Sequence, residues 1–70
     1  MTGIEGFLKE ALREDPYDAE ASALLAGVYN WQAARAHKKA IACAKEGLEK
    51  NPAYRPLHVQ LQEAMGAIVG

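Results

Sequence analysis

The chain has little that could hold it together covalently or anchor it in lipid. Its 70 residues contain one cysteine, Cys43, so no internal disulfide can form, and a lone thiol fits a reducing compartment. No window approaches the ~20 apolar residues of a membrane-spanning helix. Glu5, Lys9 and Glu10 interrupt the opening turns, which argues against a secretory signal. The expectation is a cytoplasmic protein with no membrane contact. Charge of one sign is also missing: 8 basic residues stand against 9 acidic ones, so bulk charge points to neither nucleic acid nor membrane as a partner. His37, His58 and Cys43 are the only soft metal ligands. A structural zinc site takes four, and His37 and Cys43 are not at the i, i+4 spacing that shares a helix face. The scattered glycines form no phosphate-binding loop, and no nucleophile, base and orienting group are spaced as a catalytic set. The expectations are no enzyme, no catalytic residues, no metal and no cofactor.

What the sequence does have is helical periodicity. Thr2 and Glu5 have capping-box spacing, and Ile4, Phe7, Leu8, Ala11 and Leu12 follow as one apolar stripe. Pro16 lacks an amide hydrogen and disfavours helical geometry at Asp15, so the first helix stops there. Asp18 is the preferred cap of a second helix, with Glu20 in its first turn. Gly27 inside that helix, with Ala21, Ala23 and Ala26, marks close approach by a neighbour. Ala40, Ile41, Ala44 and Leu48 make the buried face of a third helix, ended by Asn51-Pro52. Pro56 suits the first position of a fourth, along which Leu57, Leu61, Ala64, Met65 and Ile68 recur at helical spacing.

The boundary between the second and third helices has two readings, because Asn30 to Lys39 contains neither glycine nor proline. It is either a tight turn or part of one continuous helix to Lys50. Carried forward at 3.6 residues per turn, the stripe of Leu24, Leu25, Val28 and Trp31 runs into Arg35, Lys38 and Lys39, so a break between about Ala33 and His37 is favoured. The predicted helices are about 3–14, 18–33, 36–50 and 56–69, in a single domain over 1–70, with Ala21 to Pro52 as its central hairpin.

Two stretches resemble one another. LREDP at 12–16 and LEKNP at 48–52 each place a leucine four residues before a proline, with a small residue (Ala11, Gly47) ahead and a tyrosine (Tyr17, Tyr54) close behind. Pro16 and Pro52 are 36 residues apart. Leu25 and Ala26 with Tyr29 fit the first helix of the tetratricopeptide signature, and Ala40, Gly47 and Pro52 fit its second. The chain resembles that family, with two extra residues in the turn between the paired helices. The resemblance implies an all-α fold of antiparallel helical hairpins, stacked as about one and a half to two repeats of an α-α superhelix. Residues 4–16 take the place of the second helix of one repeat, and residues 55–68 that of the first helix of the next. A carboxylate clamp known in some members is not matched: Ala23, Gly27, Pro56 and Gln60 stand where its polar residues would be.

The signature reports packing, and what it implies functionally is a small adaptor or self-assembling scaffold that binds a peptide or helix segment in a groove lined by the first helices. Candidate partner-binding residues are Tyr29, Trp31, Arg35, Lys38, Lys39 and Tyr54. The alternative is a nucleic-acid-associated protein using the basic cluster Arg35 to Lys39 beside Trp31. Charge is unevenly spread: residues 1–34 carry six carboxylates against two cations, a net of −4, and residues 35–70 six cations against three carboxylates, a net of +3. Small arrays leave their end helices uncovered. Ile4, Phe7, Ile68 and Val69 at the two ends therefore lead to the expectation of a homo-oligomer.

Overall fold

Asp15 and Asp18 do what short carboxylates do beside a helix end. The Asp15 amide closes the last turn onto Ala11 O at 2.9 Å, and Asp15 Oδ1 accepts the Tyr17 amide at 3.1 Å. Asp18 Oδ1 accepts the Ala21 amide at 3.1 Å, capping the next helix as its spacing predicts. The same arrangement of backbone bonds returns in the second loop, where the Asn51 amide bonds Gly47 O at 2.9 Å and the Tyr54 amide bonds Asn51 O at 3.1 Å. The two loops are tied to each other by Asn51 Nδ2, which donates to Tyr17 O at 3.0 Å.

The computed structural model describes residues 3–31 and 36–69. These form four helices, α1 (Gly3–Glu14), α2 (Ala19–Trp31), α3 (His37–Lys50) and α4 (Arg55–Val69). The protein is all-α, a stack of antiparallel helical hairpins. The expected capping box falls partly on Thr2, and the expected break between about Ala33 and His37 falls partly on residues 33–35, which like Thr2 lie outside the described residues; Ala36 is non-helical, and α3 starts at His37. The reversal itself follows from packing: His37 meets Asn30 near the start of α3, whereas Cys43 further along meets Ser22 near the start of α2. Helix α4 begins one residue before Pro56, which therefore occupies its second position.

Helices α2, α3 and α4 pack against one another pairwise, while α1 packs on α2 alone. The molecule is a slab with Cα extents of 34 × 30 × 14 Å. Its thickness is that of two helix layers, with axes ~9–10 Å apart and a Cα radius of ~2.3 Å on either side. Of the expected buried face of α3, Ala40 and Ala44 have no exposed surface, and Ile41 and Leu48 are half-buried. Gly47 is where the backbones come closest: a Cβ placed there would lie 2.9 Å from Leu57 Cδ1 and 3.0 Å from Ser22 Cβ. Gly27 differs, since a Cβ there would meet only the Gln60 side chain, at 3.6 to 3.7 Å.

Two apolar clusters make the core. One joins Leu8, Ala21, Leu25, Tyr29, Ala40 and Ala64, and the other Ala23, Ala26, Ala44 and Leu57. Of the α1 stripe only Leu8 is buried; Ile4 and Phe7 face outward because no helix covers that flank.

Candidate functional site

Because α1 touches α2 and not α3, a gap opens between α1 and α3 with α2 as its floor. It is a recess of about 410 Å³. Lys9, Leu12 and Pro16 form one wall, Ser22, Leu25 and Tyr29 the floor, and Lys39, Cys43 and Lys50 the other wall with Glu46. The recess therefore lies between α1 and α3, whereas the family resemblance implies a groove on α2 and α4.

Tyr29 anchors one end of it. Its ring is buried on the core, and its hydroxyl donates to Glu5 Oε2 at 3.1 Å. Lys9 pairs with the same carboxylate at 3.1 Å, one turn along α1, and Lys39 Nζ stands 5.8 Å from the centre of the Tyr29 ring, within cation–π range. The Glu5 carboxylate, with the Tyr29 oxygen beside it, holds the Lys9 ammonium above its ordinary pKa. Desolvation raises the Tyr29 phenol, and the bond to Glu5 adds to this. On the α3 wall, burial pushes the Cys43 thiol up to about 11, with Glu46 contributing, and its S–H donates to Ser22 O at 3.4 Å. At neutral pH this is a thiol and a poor nucleophile. Lys39 and Lys50 form no ion pair among the described residues.

The structure brings together Tyr29 and Lys39 of the six candidate residues. Lys38 is exposed beside a shallower recess with Ala36, His37 and Ile68. Trp31 projects outward at the end of α2. Tyr54 packs on the second core cluster. Arg35 lies outside the described residues. The histidines are engaged with neighbours: His58 Nε2 donates to Pro52 O at 2.7 Å, and His37 Nδ1 bonds Asn30 Oδ1 at 3.0 Å. Among the described residues no group of three or more His, Cys, Asp or Glu could hold a metal, and no helix is long and apolar enough to cross a membrane.

Sequence reasoning missed Lys9, Cys43 and Lys50 as groove residues, because the recess they line is set by the spacing of α1 and α3 across α2. It also missed Asn30. This side chain is 2% exposed, and its Nδ2 donates to Gln60 O at 3.1 Å and to Gln60 Oε1 at 2.8 Å. Since Asn30 Oδ1 can only accept, the His37 Nδ1 must carry the proton. The network satisfies a buried amide across three helices. The available signal was position: Asn30 follows Ala23 and Ala26 at helical spacing on the side of α2 that meets α3 and α4. No known protein family, curated protein or solved structure matches the chain.

Proposed function

We propose that this protein is a non-enzymatic, tetratricopeptide-like binding module whose α1–α3 groove accepts an acidic, leucine-bearing helical peptide segment. The observation that carries the reading is the groove's make-up. Leu12 in its wall and Leu25 in its floor give it an apolar strip, while Lys39 and Lys50 on its rim lack carboxylate partners among the described residues. An apolar strip flanked by cations fits an amphipathic segment whose leucines enter the groove and whose glutamates meet the lysines. The repeated loop bonds support the family resemblance, since units repeating in sequence repeat in backbone geometry too.

The test is a fluorescence-anisotropy titration with a labelled helical peptide carrying leucine and glutamate at i, i+4 spacing. Binding is expected to weaken as salt rises and to be lost in the double variant Lys39→Glu/Lys50→Glu. A titration that leaves the peptide free, or binds it equally in the double variant, would overturn the reading. The same titration with a single-stranded oligothymidine addresses the alternative: tight, steeply salt-dependent binding lost on Lys38→Glu/Lys39→Glu would assign the basic cluster to nucleic acid instead.

A further inference from the structure

We infer that the uncovered flank of α1 and α2 is the seat for α4 of a second copy of this chain, so that copies associate head to tail. The chain repeats its own pattern of helix ends. Shifting residue numbers by 36 carries the end of α1 at Glu14 onto the end of α3 at Lys50, and the start of α2 at Ala19 onto the start of α4 at Arg55. Two backbone bonds of the loops coincide under the same shift: Asp15 to Ala11 becomes Asn51 to Gly47, and Asp18 to Asp15 becomes Tyr54 to Asn51; the next bond differs, Ser22 to Asp18 in one and Leu57 to Tyr54 in the other. The pair α1–α2 is thus a copy of the pair α3–α4.

The pair α3–α4 has a helix seated on it, and that helix is α2. Its Ala23 and Ala26 pack with Leu57, its Tyr29 with Ala40 and Ala64, and its Ser22 faces Gly47. Among the described residues nothing covers the equivalent seat on α1–α2. Ala40, fully buried on α3, corresponds to Ile4, which is 57% exposed. Half-buried Cys43 corresponds to Phe7, 72% exposed. Half-buried Gln60 corresponds to Leu24, 54% exposed. An empty seat lined by exposed Ile, Phe and Leu is an apolar surface awaiting a helix.

Helix α4 is the counterpart of α2 and carries the matching face. Ala23 and Tyr29, buried on α2, correspond to Val59 and Met65, which are 53% and 46% exposed on α4. Seating α4 of one copy on α1–α2 of the next would bury both sets of exposed apolar side chains. Helix α4 is itself neutral, with Arg55 against Glu63, so no charge is driven into the seat. One position fits poorly: Gln62 takes the place of Ala26, which has no exposed surface. The two surfaces differ from each other, so the contact is heterologous and each added copy leaves a fresh seat open. The seat lies on the flank of α1 away from the groove and does not depend on what the groove binds.

Sedimentation velocity of the full chain over a range of concentrations tests this. The average mass is expected to rise past that of a dimer without levelling off. Phe7→Glu blocks the seat and Met65→Glu blocks the helix that fills it. Each variant alone is expected to be a monomer, and an equimolar mixture is expected to form a heterodimer and stop there. Leu24→Lys and Val59→Lys, also at exposed positions, serve as a second pair, with circular dichroism to check that helix content is kept. Gln62→Ala is expected to tighten association. A wild-type chain that stays monomeric at its solubility limit overturns the inference. So does a mixture of the two blocked variants that fails to pair, or a single blocked variant that still dimerises, since that would mark a symmetric contact. Peptide binding by monomeric Phe7→Glu keeps a failure here distinct from a failure of the groove reading.

Discussion

Helices α1 and α2 lie side by side and their fates are opposite. Helix α1 is cleanly amphipathic, with five apolar residues at ideal spacing, yet Leu8 is its single buried residue. Helix α2 has apolar and small residues all round, and seven of its thirteen are buried, Ser22 and Asn30 among them. The difference is in neighbours: α2 is packed by three helices and α1 by one. A stripe shows which side a helix offers to a core; how much of that side is covered depends on what the rest of the chain brings to it.

The sharpest way to break this comparison is to make the same deletion in both helices. Leu8 and Leu25 are each 5% exposed. Leu25→Ala is expected to cost about 3–5 kcal/mol, because three packed helices cannot collapse around the space, and Leu8→Ala about 2–3 kcal/mol. Native-state hydrogen exchange should then show faster opening across the whole chain for the first, and confined to α1 for the second. Equal costs with global opening in both would mean that α1 is not an edge.

The next effect contrasts Gly47 with its counterpart Ala11. Gly47→Ala forces a methyl against Leu57 and Ser22 and should cost about 1–3 kcal/mol in urea unfolding. The alanine already present at position 11 shows that the looser flank of α1 tolerates the methyl. Asn30→Ala should cost about 1–3 kcal/mol, since it strands the Gln60 and His37 partners. A neutral result would mean that water replaces the amide.

Tyr29→Phe removes the hydroxyl that ties α2 to Glu5 of α1 and should cost about 0.5–1.5 kcal/mol. It should also change the alkaline limb. The folded phenol holds its proton to higher pH than the unfolded one. Its contribution is therefore complete below the unfolded value near 10 and is lost as pH rises through the folded value. Thermal melts between neutral and strongly alkaline pH should show a shallower decline in the variant. The smallest expected change is a gain: Gly27→Ala places a methyl at ordinary contact distance from Gln60 and should stabilise by up to about 1 kcal/mol through helix propensity.

The two glycines show how far a sequence can be read. Gly27 looks like the mark of close approach, but the tight contact is at Gly47. Likewise Tyr29 and Lys39 stand out in the sequence as aromatic and basic residues, while the groove they share depends on α1 failing to reach α3. Asn30 was overlooked because a polar residue near a helix end reads as a turn, and its partners Gln60 and His37 lie on two other helices.

Local chemistry determined the elements from the sequence alone: the helical stripes, Asp18 as a cap, and Pro16 and Pro52 as stops, since each rests on groups within a turn or two of one another. Tertiary structure decided which faces are covered, where the groove opens and which glycine matters. Those depend on distances between helices, and the same apolar stripe is core where a neighbour arrives and bare surface where none does.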